Sequence, residues 1–364
     1  MSLPWMLQYA GRLSLCVFCC ACVVGCDVDR SDVGLLRVKR VLGGVGRSPG
    51  QFVYPRAITT DGAHLIVADK FARIQVINPE SGVMLAGWVT PASQAGRPTG
   101  LTAAPAPDGT PALYVADTHY SQILVYAMPD VSSNMPAKFG EPPDIIAKWG
   151  EFGTGPGQFT YTTDIAVQVA DDGKPTRIYV SEYGGNDRIS VFDTAFSFLF
   201  AFGKNGSDDA SFNRPQAIDI ETSMNELIVC DSGNHRVGRF TLDGELISWL
   251  GQPDPGGGPL DMTDMDVLAR LDTEQLERSE PGRFRYPHGL FLPQDGTAFV
   301  TEYGNERIQR IDLRSGRTLA TYGRSGRLVG ELRSPWSSVV LGGEAFLLDS
   351  GNDRVQVIDV PARE

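Results

Sequence analysis

The sequence predicts an all-β fold: a six-bladed β-propeller of four-stranded antiparallel blades, its ring closed by an N-terminal strand that completes the last blade. Three observations carry this reading. A β-rich run ending in an acid, a short polar turn and a second β-rich run recur six times. A further β-rich segment in most units ends near a glycine, giving four strands per unit, and radial repetition of such units describes a propeller. No stretch of 10 to 15 residues with helical periodicity lies between the strands, which argues against an alternating α/β fold.

Residues 1–25 read as an address rather than as part of the ring. Arg12 precedes an apolar run, Leu13 to Val24, that ends at Gly25-Cys26; this is the grammar of a secretory signal. The run is short for a bilayer span, which needs about 20 residues. Val23-Val24-Gly25-Cys26 resembles a bacterial lipobox, and the resemblance implies cleavage before Cys26 and its lipidation. The expected location is then the cell envelope, on the extracytoplasmic side, tethered to a membrane by lipidated Cys26 (the periplasmic side if the host has an outer membrane). Residues 26–33 would be a tether, 34–360 the propeller and 361–364 a tail. Five of the six cysteines fall within residues 16–26, and Cys230, on an apolar strand, reads as a buried structural thiol.

The six copies are Leu65–Ile77, Leu113–Tyr126, Ile178–Phe192, Leu227–Phe240, Ala298–Ile311 and Phe346–Ile358. Their acids, Asp69, Asp117, Glu182, Asp231, Glu302 and Asp349, are spaced 48, 65, 49, 71 and 47 residues apart, so a unit of about 48 is stretched twice. The stretches are insertions at about 128–144 and 252–283. An arginine follows the acid in five units, with Gln122 in the second, and the pair is expected to order the hairpin. Gly and Asn in the turns are expected to supply the positive φ that tight hairpins need. The last unit stops after its third strand, so residues 35–43 are expected to supply its fourth and remove an open edge.

These segments resemble the NHL-repeat family over about residues 34–360; DSGNHRV at 231–237 and DSGNDRV at 349–355 carry the resemblance best. It implies a six-bladed propeller that binds partners. Some NHL proteins also carry a RING, but no Cys/His framework for one exists here.

Function is expected where the repeats differ. In propeller topology the loop leading into the inner strand shares a face with the hairpin between the second and third strands. Across the units the station after the lead-in proline holds Arg56, Thr99, Thr163 or Asp164, Gln216, His288 and Trp336. Unlike side chains at like stations suit a specific ligand. His288 resembles one histidine of the peptide-amidating lyases, zinc enzymes in which three blades carry Pro-His. Here only one does, and zinc catalysis needs about three protein ligands. Calcium-dependent six-bladed lactonases are a second enzyme comparison, without a ligand set that maps here. Glu182 and Glu302, each followed by Tyr-Gly, are the acids singled out for a further role.

The reading is therefore a lipid-anchored, non-catalytic binding platform that takes a protein, peptide or glycan at the channel mouth. The alternative is a lyase or hydrolase working there with His288, Arg56 and Glu302, aided by zinc or calcium. A net charge of −12 and pI near 4.9 disfavour nucleic acid. The insertion at 252–283 carries seven acids between Asp261 and Glu280 and one loose helical period; it is expected over the mouth as a lid or docking loop. The insertion at 128–144 is expected on the opposite face.

Overall fold

The computed structural model describes residues 35–131, 135–253 and 280–360. The leader, Cys26 and the tether, the greater part of the 252–283 insertion and the tail lie outside the described residues. The rest forms six four-stranded antiparallel sheets, each running from an inner to an outer strand. Blade 1 comprises Pro55–Thr60, Leu65–Asp69, Arg73–Ile77 and Met84–Val89; blade 4 comprises Pro215–Glu221, Glu226–Asp231, Arg236–Thr241 and Leu246–Leu250. Blade 6 has Ser338–Leu341, Glu344–Asp349 and Arg354–Asp359, and its outer strand is Val38–Gly43 from the other end of the chain. That strand pairs antiparallel with Arg354–Asp359, from Val38 opposite Ile358 to Gly43 opposite Arg354. The ring closes as the sequence predicts.

The core is six apolar slabs, one between each pair of neighbouring blades, the sixth joining blades 6 and 1. Alternation within a strand assigns residues to slabs, because successive side chains point to opposite faces. Leu227 and Val229 face blade 3, whereas Ile228 and Cys230 face blade 5. A second strand buried on both sides therefore reads as an unbroken apolar run, as in LIVCD. Cys230 is fully buried there, and burial pushes its thiol pKa up, which keeps it protonated.

Each acid of the repeat is 0% exposed, and in every blade but the second it locks three pieces of chain together. Asp231 accepts from the backbone N–H of Asn213 at 2.7 Å, from Asn234 Nδ2 at 2.8 Å and from Arg236 Nε at 2.8 Å. Arg236 Nη2 then donates to the carbonyls of Asp208 and Ser211, each at 2.9 Å. The same pattern joins Asp69 to Arg73, Glu182 to Arg188, Glu302 to Arg307 and Asp349 to Arg354. In blade 2, Gln122 donates to Asp117 at 2.6 Å in place of an arginine. Burial raises the Asp117 pKa to about 6, against the opposing effects of the Gln122 hydrogen bond and the Lys148 charge.

One expectation about the hairpins holds only in part. The residue ahead of each third strand has positive φ, but it is never glycine or asparagine: it is Ala72, Ser121, Asp187, His235, Glu306 or Asp353. Several of these side chains hold the following blade, a role glycine has no atoms for. Asp353 Oδ1 accepts from Tyr54 N at 2.7 Å, Asp187 Oδ1 from Arg214 N at 2.6 Å and His235 Nδ1 from Tyr286 N at 3.1 Å. Gly184 and Gly185 in the blade 3 hairpin do have positive φ, 99° and 104°, as expected, whereas Gly233 and Gly351 serve close approach. A Cβ on Gly233 would stand 2.5 Å from Asn213 Oδ1, and one on Gly351 2.8 Å from Arg333 Cγ.

The insertions are placed by their bases. A parallel bridge spans seven residues at Val45–Phe52, Phe152–Phe159, Asn205–Phe212 and Ser325–Leu332, just before blades 1, 3, 4 and 6. Before blade 5 the equivalent bridge joins Pro253 to Phe284, so the large insertion is spliced into this loop. These loops receive the hairpin arginines, which puts the base of the insertion on the hairpin face, as expected. The smaller insertion runs beside blade 1: Ala137 N and Gly140 N each donate, at 2.9 Å, to the carbonyls of Met84 and Gly87 on its outer strand.

Candidate functional site

The station side chains are set apart by a local irregularity in the inner strands. In blade 1 Pro55 pairs with Asp69 and Ala57 with Ala68, leaving Arg56 in a bulge. The same skip isolates Thr163, Gln216 and His288. A bulge re-aims one side chain without disturbing the rest of the strand. In blades 1, 4 and 5 a proline stands ahead of the bulged residue and suits the position, since it lacks an N–H to pair; in blade 3 the residue there is Thr162.

A central cavity of about 220 Å³ runs into the ring, and its wall includes Thr99, Asp164, Gln216, His288 and Trp336. Arg56 stands at its edge, with its guanidinium 5.1 Å from the Trp336 ring and 5.6 Å from that of Tyr54. Five predicted residues thus line one cavity and the sixth abuts it. In blade 3 the two alternatives separate. Thr163 holds the bulge and is fully buried, its Oγ1 2.7 Å from both Ser181 Oγ and the Pro215 carbonyl, whereas Asp164 lines the cavity.

Two sectors differ in chemistry. Blades 5, 6 and 1 supply aromatic rings: His288 stacks on Tyr303 at 4.9 Å and meets Trp336 edge-on at 5.1 Å. The Tyr54 and Tyr303 hydroxyls are 3.3 Å apart. Blades 2, 3 and 4 supply hydroxyl, amide and carboxyl groups. There Thr99 donates to the Thr163 carbonyl at 3.0 Å, Gln216 Oε1 accepts from Arg214 Nε at 3.1 Å, and Asp164 Oδ2 accepts from Ile218 N at 3.1 Å.

Burial sets the charge states. His288 is pushed down to about 3, first by burial and then by Arg214 and Arg56, so it is neutral across the physiological range. Its Nδ1 lies 3.1 Å from both the Tyr286 carbonyl and Ser232 Oγ. Burial drives the Asp164 carboxyl well above its usual range, and Asp219, also on the cavity wall, to about 7. Glu302 sits in the hairpin lock of blade 5, where Arg285 N, Asn305, Arg307 and Gln309 all donate to it. Glu182 is held by the equivalent donors, Thr160 N, Asn186 and Arg188. Among the described residues no three His, Cys, Asp or Glu side chains are grouped to hold a metal ion.

Reading one station per blade misses part of the site. The residue before the lead-in proline supplies Tyr54, Arg97 and Arg214, and the hairpin adds Tyr183, over which Arg214 lies at 4.4 Å. Comparing that preceding position across the units is the signal that finds the three lead-in residues.

Comparisons with known proteins fit this architecture. Residues 212–240 match the family model described as NHL repeat. The chain is 30% identical over 105 residues to the protein brain tumor of Drosophila melanogaster, covering 29% of this chain and 10% of that one. It is also 30% identical over 118 residues to human NHL repeat-containing protein 3, covering 32% of each. The chain therefore matches only a third or less of the length of these relatives. A structural genomics protein of unknown function from Bacteroides thetaiotaomicron aligns with a TM-score of 0.55 at 13% identity, over 88% of this chain and 72% of that one. A streptogramin B lyase aligns at 0.53 with 12% identity, over 88% and 97%. Such likenesses show the fold alone. Fold and repeat together define the class: this chain is a six-bladed β-propeller with a match to the NHL repeat at residues 212–240.

Proposed function

We propose that the chain is a membrane-tethered binding platform that takes a protein, peptide or glycan partner at the channel mouth, without catalysis. One observation carries the reading: the framework acids are buried in the hairpins, while the lead-in stations place unlike side chains around one cavity. A repeated scaffold with a non-repeated mouth is how a propeller gains specificity on a shared fold. Exposed apolar side chains on the lead-in loops, Val45 at 71%, Phe152 at 73% and Leu328 at 70%, add contact surface on the hairpin side. An enzymatic reading would centre on His288, but its neutral, doubly contacted imidazole favours hydrogen bonding over proton transfer near neutrality. Whole-fold likeness to a streptogramin B lyase does not transfer that activity.

The tether is proposed at Cys26, on the extracytoplasmic side of the envelope. The test is affinity capture from envelope extract with the native chain and with a His288→Ala, Gln216→Ala, Trp336→Ala triple variant of native-like circular dichroism. A partner retained by the native chain and lost by the variant is expected; equal retention by both removes the mouth as the binding site. Cys26→Ala is expected to move the protein from the membrane to the soluble fraction.

A further inference from the structure

Seven arginines are buried among the described residues. Arg73, Arg236, Arg239, Arg307 and Arg310 each hold a carboxylate. Of the remaining two, Arg285 packs over the Gly304 turn, where an added Cβ would meet its Cγ at 2.7 Å. Arg56 is the one beside the cavity. It is only 8% exposed, and among the described residues its Nε meets no acceptor and it has no ion pair. Its contacts are the faces of Tyr54 and Trp336. Cation–π contact offsets part of the cost of burying a charge but leaves the guanidinium donors unused. A buried cation without an anion is the costly half of an ion pair.

Its charged neighbours worsen that position. Arg97 and Arg214 both act to destabilise the Arg56 cation, and Arg97 and Arg56 both disfavour protonation of His119. Three guanidiniums are thus gathered near one mouth of a chain whose net charge is −12. Resting on the platform reading above, we propose that this sector recognises the carboxylate of a compact organic monoanion, bound to the Arg56 guanidinium at the edge of the aromatic wall. The guanidinium fork matches a carboxylate in a bidentate manner. Trp336 offers flat apolar surface to the body of the ligand, and a cavity of about 220 Å³ limits its size. The same cavity suppresses ionisation of Asp164, so a second negative charge on the ligand would meet a similar penalty. This favours a monoanion over a phosphate dianion. A sugar acid and the C-terminal end of a peptide share the required chemistry.

The test uses the full chain in detergent and two matched pairs of probes: glucuronate with glucose, and N-acetyl-glycylglycine with its amide. Isothermal titration is expected to give an acid that binds at least about tenfold tighter than its neutral partner in one pair, and the pair that responds identifies the source. Arg56→Gln is expected to weaken that acid at least about tenfold, Arg56→Lys by less, and Arg214→Gln about threefold. Because Arg56 lacks an ion pair, Arg56→Gln is expected to keep or raise Tm. Acid and neutral members that bind alike or not at all, acid binding that survives Arg56→Gln, or a large fall in its Tm would each overturn the proposal. If Arg56→Gln does not fold, acid binding unchanged in Arg214→Gln overturns it. Partner capture that persists in Arg56→Gln leaves the platform reading standing and removes only this one.

Discussion

At the scale of single residues, the acid of each repeat behaves as a lock whose parts cannot be removed one at a time. Arg307→Ala would leave Glu302 buried with its principal counter-charge gone, and the expected cost is about 3–5 kcal/mol in denaturant unfolding. A loss below about 1 kcal/mol would show that the remaining donors suffice. Gly233→Ala forces a methyl against Asn213 and is expected to cost about 1–3 kcal/mol by the same measurement. Asp219 gives a pH signature. Its pKa rises on folding to about 7, so the native chain binds a proton that the unfolded chain has released. Its contribution to stability is present below about pH 4 and is lost as the pH rises toward 7. Asp219→Asn is expected to remove a slope approaching about 1.4 kcal/mol per pH unit within that window. An unchanged slope would show that the carboxyl stays accessible to water.

At the scale of elements, the outer strand of blade 6 has a weight out of proportion to its six residues. Val38–Gly43 ties the two ends of the chain together, and Leu36 and Leu42 beside and within it are 6% and 4% exposed. Removing residues 1–43 is expected to cost about 3–6 kcal/mol from those two leucines alone. It would also expose the edge of Arg354–Asp359 to pairing with another chain. The measurements are thermal melting and light scattering. A truncated chain that melts with the full one and stays monomeric would contradict closure by this strand.

At the scale of the molecule, the ring is a set of neighbouring blades joined by private cores, and the large insertion is an addition to one of its loops. Deleting residues 256–279 restores the seven-residue spacing seen before blades 1, 3, 4 and 6. The shortened chain is expected to melt within about 2 °C of the parent, because neither the slab between blades 4 and 5 nor the bridge at Pro253 and Phe284 is removed. A collapse of Tm would mean that the insertion carries part of the core.

Blade count, strand order, ring closure and the pairing of acid with arginine were legible in the chain because each follows from a local pattern repeated in register. Six copies of LIVAD-like strands leave little choice of fold when each apolar face needs a neighbour. The mouth stations were legible for a related reason: in every blade but the third a proline marks where the inner strand begins. The positive-φ hairpin residues were not, because Asp187, His235 and Asp353 hold that conformation through contacts with the next blade, and such contacts exist only after the ring forms. Nor was the division of Thr163 from Asp164, which a one-residue bulge decides. Sequence alone thus determined a closed ring of six blades with an unlike residue at each mouth station. Only the tertiary structure decided that Glu302 is bound into a lock, that His288 is neutral, and that Arg56 is a buried cation without an anion among the described residues. Those are properties of burial and of neighbours brought from distant blades, and no single stretch of chain contains them.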